Sequence, residues 1–319
     1  MKKTLFSIVF VLAVLSAFAG GKKDSLSFEQ LEKKYPSSQY IVALGQGANL
    51  ANAQSSAKMS ICQTLGETLK GESLASQTSK SDGTDSSSLK IDVNETVLFE
   101  HITGIELKEN WQTNGGKGDW ICVAVLDRKQ ASSYYAKLAK ENDLKILELT
   151  NQADKKGAGF ESLELYENAV SMAEENQYNL NLLLALNQSA YRQTVMLYGS
   201  VQSLETKQKN LASKLKVFVK IENDSDGMIA SAFKTSLLKR GISVVEDNAD
   251  YFIEGTVNFE PVDSLDGKNV FVRYSLDCPL TDSAKNVIKP YNFSGREGHL
   301  SLAQAKQRAY VKIAAEIRQ

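Results

Sequence analysis

The stretch "YIVALGQGANLANAQSSAKMSICQTLGETL", Tyr40 to Leu69, changes its hydrophobic period part-way along. Tyr40 to Gly45 is a short apolar run of strand character. From Asn49, a residue suited to capping a helix, Leu50, Ala53, Ala57, Ile61, Leu65 and Leu69 recur at helical spacing. A strand that passes through glycines into a helix with a small-residue face predicts helix-on-sheet packing, and so an α+β layer. The glycines are expected to form the tight strand-to-helix turn.

Downstream, Gly71 to Asp92 turns polar, as in "SKSDGTDSSS", and composition predicts a mobile loop. Val97 to Trp111 and Trp120 to Leu126 flank the turn "NGGKG" and read as a hairpin. The second run is apolar on both faces, which predicts a central strand. These elements form a first domain over 37–127. Asp127 then caps a helix, with Gln130 completing a capping-box pattern. Helical periodicity dominates 128–215, with breaks expected at "KKGAGF" (Lys155 to Phe160) and "NQYN" (Asn176 to Asn179). One helix-turn-helix unit there, with Phe160, Leu163, Tyr166, Ala169 and Val170, resembles a tetratricopeptide hairpin, but a repeat array needs about three. The segment is read as a helical connector.

The remainder, 216–319, has the order β-α-β-β-β-β-α: strands at Val217 to Ile221, Ile242 to Val245, Tyr251 to Phe259, Val270 to Cys278 and Val287 to Ser294, with helices from Met228 and Leu302. The expected fold class is α+β: two α/β sandwich domains, each a mixed or antiparallel sheet with helices on one face, joined by the connector.

At the other end, Lys2 and Lys3, the apolar run Leu5 to Leu15 and the small-residue triplet Ala17-Phe18-Ala19 have the anatomy of a secretory signal over 1–19. Gly20 and Gly21 stand where a lipoprotein would carry its acylated cysteine. The expectation is an exported, periplasmic protein without a lipid anchor, with peripheral association at the outer membrane. The net charge of −1, or −3 once Lys2 and Lys3 are removed, argues against a nucleic-acid partner. Cys62, Cys122 and Cys278 each sit in an apolar stretch and are expected as buried thiols.

Several motifs invite a chemical reading and fail on spacing. "GQGANLA" places Leu50 where a dinucleotide fingerprint needs a small residue. "ENDSDG", Glu222 to Gly227, has Phe233 where a calcium loop needs its closing glutamate, so Asp224 or Asp226 is read as a helix N-cap. "GSVQS", Gly199 to Ser203, has no serine at a nucleophile elbow. No histidines or cysteines stand at zinc-ligand spacing, so no cofactor, metal or catalytic residue is assigned.

"SGREGHLS", Ser294 to Ser301, gathers Arg296, Glu297 and His299, one of two histidines. Ser301 and Gln304 form a capping box, and Leu302, Ala305, Ala309, Ile313 and Ile317 give the next helix an apolar face, so Ser294 to Leu300 is read as a glycine-shaped turn. Aligning Asn49 with Ser301 superposes Ala53 on Ala305, Ala57 on Ala309 and Ile61 on Ile313. No nucleophile with a partnered base stands nearby. Trp111, Arg273, Arg296, Glu297 and His299 are therefore taken as a candidate interaction surface.

Tyr40 to Leu69, with the later "DWICVAVLDRKQA", resembles the domain shared by LPP-twenty-type envelope lipoproteins and the N-terminal part of flagellar assembly protein T. "NADYFIEGTV", Asn248 to Val257, is similar to the sheet-forming domains of curli-secretion and peptidoglycan-synthase-activator lipoproteins. These resemblances imply a non-enzymatic envelope protein that works in assembly or scaffolding through contacts with envelope proteins, including further copies in a ring or complex. The alternative expectation is a periplasmic small-ligand or glycan sensor using Trp111, Trp120, Arg273 and Arg296.

Overall fold

The computed structural model describes residues 27–78, 102–262 and 269–318. The leader pattern, and positions 79–92 of the polar stretch, lie outside the described residues. The chain divides into two compact units, Met1–Lys145 with Met172–Leu197 and Ile146–Ser171 with Tyr198–Gln319. The helical segment 128–215 contributes to both.

In unit one, β1 (Tyr40–Gly47), β2 (Glu106–Gln112) and β3 (Trp120–Asp127) form an antiparallel sheet in the order β1-β3-β2. β3 is central, as its two-sided apolar pattern predicts. Cys122, Ala124 and Leu126 pack beside Ala53, Ala57, Ile61, Leu65 and Leu69 of α2 (Leu50–Thr78), while Val123 and Val125 pack beside Leu31 of α1 (Phe28–Lys34) and its C-cap Tyr35. Helices thus cover both faces of this small sheet. The Asn49 side chain accepts from the Asn52 N–H at 2.9 Å, capping α2.

Gly45 and Gly47 lie within β1, and their role differs from the expected turn. A Cβ on Gly45 would stand 2.0 Å from the Ala57 nitrogen and 2.2 Å from the Ala53 oxygen, so the glycine lets helix backbone lie directly on the strand. α2 also continues past Gly71 to Thr78, where a loop was expected. A helix satisfies its own backbone hydrogen bonds, so polar composition does not exclude one.

α3 (Arg128–Lys156) opens with Asp127 accepting from the Gln130 N–H at 2.8 Å. It ends at Gly157, whose φ of +76° suits a helix terminus. α4 (Phe160–Leu186) then runs unbroken through the predicted interruption at Asn176 to Asn179. Those asparagines are buried and bonded: Asn176 donates to the Ala139 carbonyl at 3.1 Å and accepts from Asn179 at 3.2 Å and Asn142 at 3.3 Å. Tertiary partners satisfy polar groups that in isolation compete with helical structure. The short helices α5 (Gln188–Gln193) and α6 (Val201–Ala212) follow.

Unit two holds β4 (Lys216–Glu222), α7 (Met228–Lys239), β5 (Ser243–Val244), β6 (Tyr251–Val262), β7 (Val270–Asp277), β8 (Leu280–Asp282), β9 (Val287–Lys289), β10 (Asn292–His299) and α8 (Leu302–Ile317). The sheet is mixed, in the order β10-β7-β6-β4-β5, with β8 and β9 continuing beside β6. β4 runs parallel to β5 and β6, and the remaining pairs are antiparallel. Val217, Val219, Ile253, Val257, Tyr274 and Leu276 meet Ile229, Phe233, Ala309 and Ile313 of α7 and α8 in one core. Phe160 and Leu163 of α4 join it. Arg240 binds Glu167 through two nitrogens, at 2.8 and 3.0 Å.

The N-cap of α7 is Gly227, at φ +62°, and neither Asp224 nor Asp226 holds that position; Asp224 instead reaches the helix end from outside it, accepting from the Ile229 and Ala230 N–H groups at 3.0 and 2.9 Å. Ala305, Ala309 and Ile313 are fully buried, as are Ala53, Ala57 and Ile61. The shared spacing thus gives each of the two helices a fully buried small-residue face. Two further expectations change. Val287 to Ser294 splits into β9 and the start of β10, and Ser294 to His299 is strand, leaving only Leu300 between strand and helix cap.

Candidate functional site

The strand assignment decides what "SGREGHLS" can do, because alternation sends neighbouring side chains to opposite faces. On the side away from α8, Arg296 faces Arg273 across the β10–β7 ladder, with Ser294 facing Ser275 and Gly298 facing Phe271. Arg273, Ser275, Ser294 and Arg296 are exposed. On the α8 side, Glu297 pairs with Lys312 at 3.3 Å, and a nitrogen of His299 is buried.

Both glycines serve cross-strand rings. A Cβ on Gly295 would lie 2.5 Å from the Tyr274 hydroxyl, and one on Gly298 would lie 2.4 Å from a ring carbon of Phe271. The Tyr274 ring is in the core, where burial pushes its phenol pKa up; the Phe271 ring is on the open face. Removing the side chain from the strand makes room for an aromatic neighbour laid over its backbone.

The ladder's hydrogen bonds also fix which backbone groups face outward. The Cys278 N–H donates to the Tyr291 carbonyl at 3.0 Å, in the register that continues through Asn292↔Asp277. Antiparallel alternation then makes Ser294↔Ser275, Arg296↔Arg273 and Gly298↔Phe271 non-hydrogen-bonded pairs, whose Cα atoms approach to about 4.5 Å. The same register, continued to Leu280↔Lys289, sets Pro279 opposite Pro290, where a missing N–H costs no ladder bond. So the N–H and C=O groups of Ser294, Arg296 and Gly298 point away from β7. Arg308 of α8 donates to the Gly298 oxygen at 3.1 Å. Among the described residues, β10 has β7 as its only neighbour in the sheet order.

Two guanidiniums directly opposite in such a pair repel, at a cost of about 0.2–1 kcal/mol on the scale of cross-strand pairs. Among the described residues, no ion pair or hydrogen bond engages either one. Glu260 faces Arg273 from β6 without pairing with it. The Arg296 guanidinium instead sits over the Phe271 ring, 4.1 Å from its centroid, in a cation–π contact. This arrangement can receive an anionic group, and it offers a planar fork suited to a carboxylate.

Of the five residues singled out by sequence, the fold brings Arg273 and Arg296 together and sends Glu297 and His299 to the helix side. Trp111 belongs to unit one, packed beside Val123 and Val125, and Trp120 packs against the α2 core. Phe271 and Ser294 escaped the sequence reading. The alternation in "VFVRYSLD" was the available signal for Phe271, while the glycines of β10 hid its strand period.

Cys62, Cys122 and Cys278 are buried free thiols, and burial pushes Cys122 up and Cys278 up to about 12. Among the described residues, no group of three or more histidine, cysteine or acidic side chains is placed to hold a metal ion. Nor is any described helix long and apolar enough to cross a membrane.

No protein-family model matches the chain, and no curated protein matches it. Among solved structures it is similar to a secreted protein from Helicobacter pylori, at 13% identity and a TM-score of 0.44, over 88% of this chain and 96% of that one. A minor lipoprotein from Acinetobacter baumannii covers 32% of this chain and 88% of its own, at 15% identity and a TM-score of 0.26. The PelC dodecamer from Paraburkholderia phytofirmans covers 32% and 86%, at 19% identity and a TM-score of 0.23. The neighbours thus include a secreted protein and a lipoprotein.

Proposed function

We propose that this chain is an exported, non-enzymatic cell-envelope protein that docks onto a larger envelope assembly through the β7–β10 face of unit two. The observation that carries the reading is the pair Arg273 and Arg296, set opposite one another on an exposed sheet face, with neither guanidinium in an ion pair among the described residues. Glu260 opposite Arg273 offsets part of the repulsion between the two arginines, and Arg296, on the marginal strand, is the one left to meet a carboxylate from outside. The leader pattern of residues 1–19 supports export. The place of β10 at the end of the sheet order among the described residues supports a contact made by backbone as well as by charge.

The test is fractionation with reversible crosslinking in intact cells, followed by isolation of the tagged chain. The wild type is expected in the envelope fraction with crosslinked partners, and the Arg273→Glu/Arg296→Glu variant is expected there without them. Recovery of the wild type only as a free cytoplasmic monomer would sink the proposal.

A further inference from the structure

We infer that the outer edge of β10 takes up an extended acidic segment of a partner protein as an additional antiparallel strand. This rests on the docking role proposed above and adds the partner's chemistry. The outward N–H and C=O groups of Ser294 and Arg296, with the Gly298 N–H, form a row of donors and acceptors at the sheet margin. Strand addition uses such a row for affinity and alternate side chains for specificity. The carbonyl of Gly298 is already occupied by Arg308, which closes the row at the end nearest α8.

Charge selects the occupant. A residue of the added strand opposite Arg296 shares the open face with it, one strand beyond Arg273. A carboxylate there meets a guanidinium held in place by Phe271, within reach of the second flexible arginine. A second copy's β10 offers nothing equivalent, because its open-face residues are Asn292, Ser294, Arg296 and Gly298, and Glu297 lies on the other face with Lys312.

The experiment selects random linear peptides displayed on phage against the immobilised full-length chain and measures the winners by fluorescence anisotropy. The expected winners carry Asp or Glu at alternate positions and bind more weakly as salt rises. Arg296→Gln and Arg273→Gln should each weaken binding by roughly fivefold, the scale of one well-placed surface ion pair. Ser294→Pro removes an outward donor and no ladder bond, so it should leave the thermal melt intact and weaken binding by about tenfold. Winners without acidic alternation would overturn the inference. So would acidic peptides that bind Ser294→Pro undiminished, although that result leaves docking through the arginine face standing. Dimerisation of the free chain that Ser294→Pro abolishes would replace the acidic partner with a second copy.

Discussion

Replacing Gly295 by alanine tests the finding that "SGREGHLS" is strand. The added Cβ would stand 2.5, 2.7 and 2.9 Å from the hydroxyl oxygen and two ring carbons of Tyr274, against the roughly 3.5–4 Å of ordinary carbon contact. Tyr274 is 1% exposed beneath α8, so its ring cannot swing away, and the strand or the helix must shift by about 1 Å. Overpacking of this kind costs about 1–3 kcal/mol, while exchanging glycine for alanine in a strand returns about 0.5–1 kcal/mol of backbone entropy. The net expectation is a loss of about 1–2 kcal/mol, or several degrees in melting temperature for a unit of this size. Gly298→Ala is the control. Its Cβ meets Phe271 at 2.4 Å, but that ring lies on the open face and can rotate outward, so stability should change little. Urea titrations of both variants decide the matter. A Gly295→Ala protein as stable as wild type, or a Gly298→Ala protein that is the worse of the two, would refute the packing argument; a turn would tolerate both.

Further expectations concern both units. Gly45→Ala sets a Cβ 2.0 Å from helix backbone rather than against a movable side chain, and should cost about 3 kcal/mol or more, seen as a large drop in melting temperature. Asn176→Ala strips partners from Asn142, Asn179 and the Ala139 carbonyl, and should lower stability in urea by roughly 2–3 kcal/mol. Burial raises the folded-state pKa of Cys278 from 9.0 to about 12, so its contribution to stability is intact below pH 9 and is lost as pH rises from there to about 12. Tyr135, Tyr191 and Tyr291 are raised by burial too, and steepen the same alkaline loss. Replacing Cys278 with alanine should therefore flatten the stability profile above pH 9, and a thiol reagent at pH 8 should react slowly until denaturant is added.

The parts of the fold readable from sequence were those with one dominant local signal. Tyr40 to Leu69 announced a strand and a helix by a change of period, and Trp120 to Leu126 announced a central strand by being apolar throughout. Three features stayed hidden because their reasons are tertiary. Gly45 looks like a turn former until the helix lying on it is seen. Asn176 and Asn179 look like a helix break until their buried partners are known. β10 looks like a turn because its glycines serve rings on the neighbouring strand. The candidate site was half readable for the same cause: Arg273 and Arg296 were visible as charges, but their opposition depends on a register that no local pattern encodes.

The most direct test of the docking account is photocrosslinking in living cells with a photoreactive amino acid at Ser275, an exposed open-face position of β7 that leaves both arginines in place, compared with one at Lys137, an exposed position on α3 of unit one. The account predicts a discrete adduct with an envelope protein from position 275, lost when Arg273→Glu and Arg296→Glu are added, and no matching adduct from position 137. An unmodified chain at both positions, or an adduct at 275 indifferent to those substitutions, would contradict it.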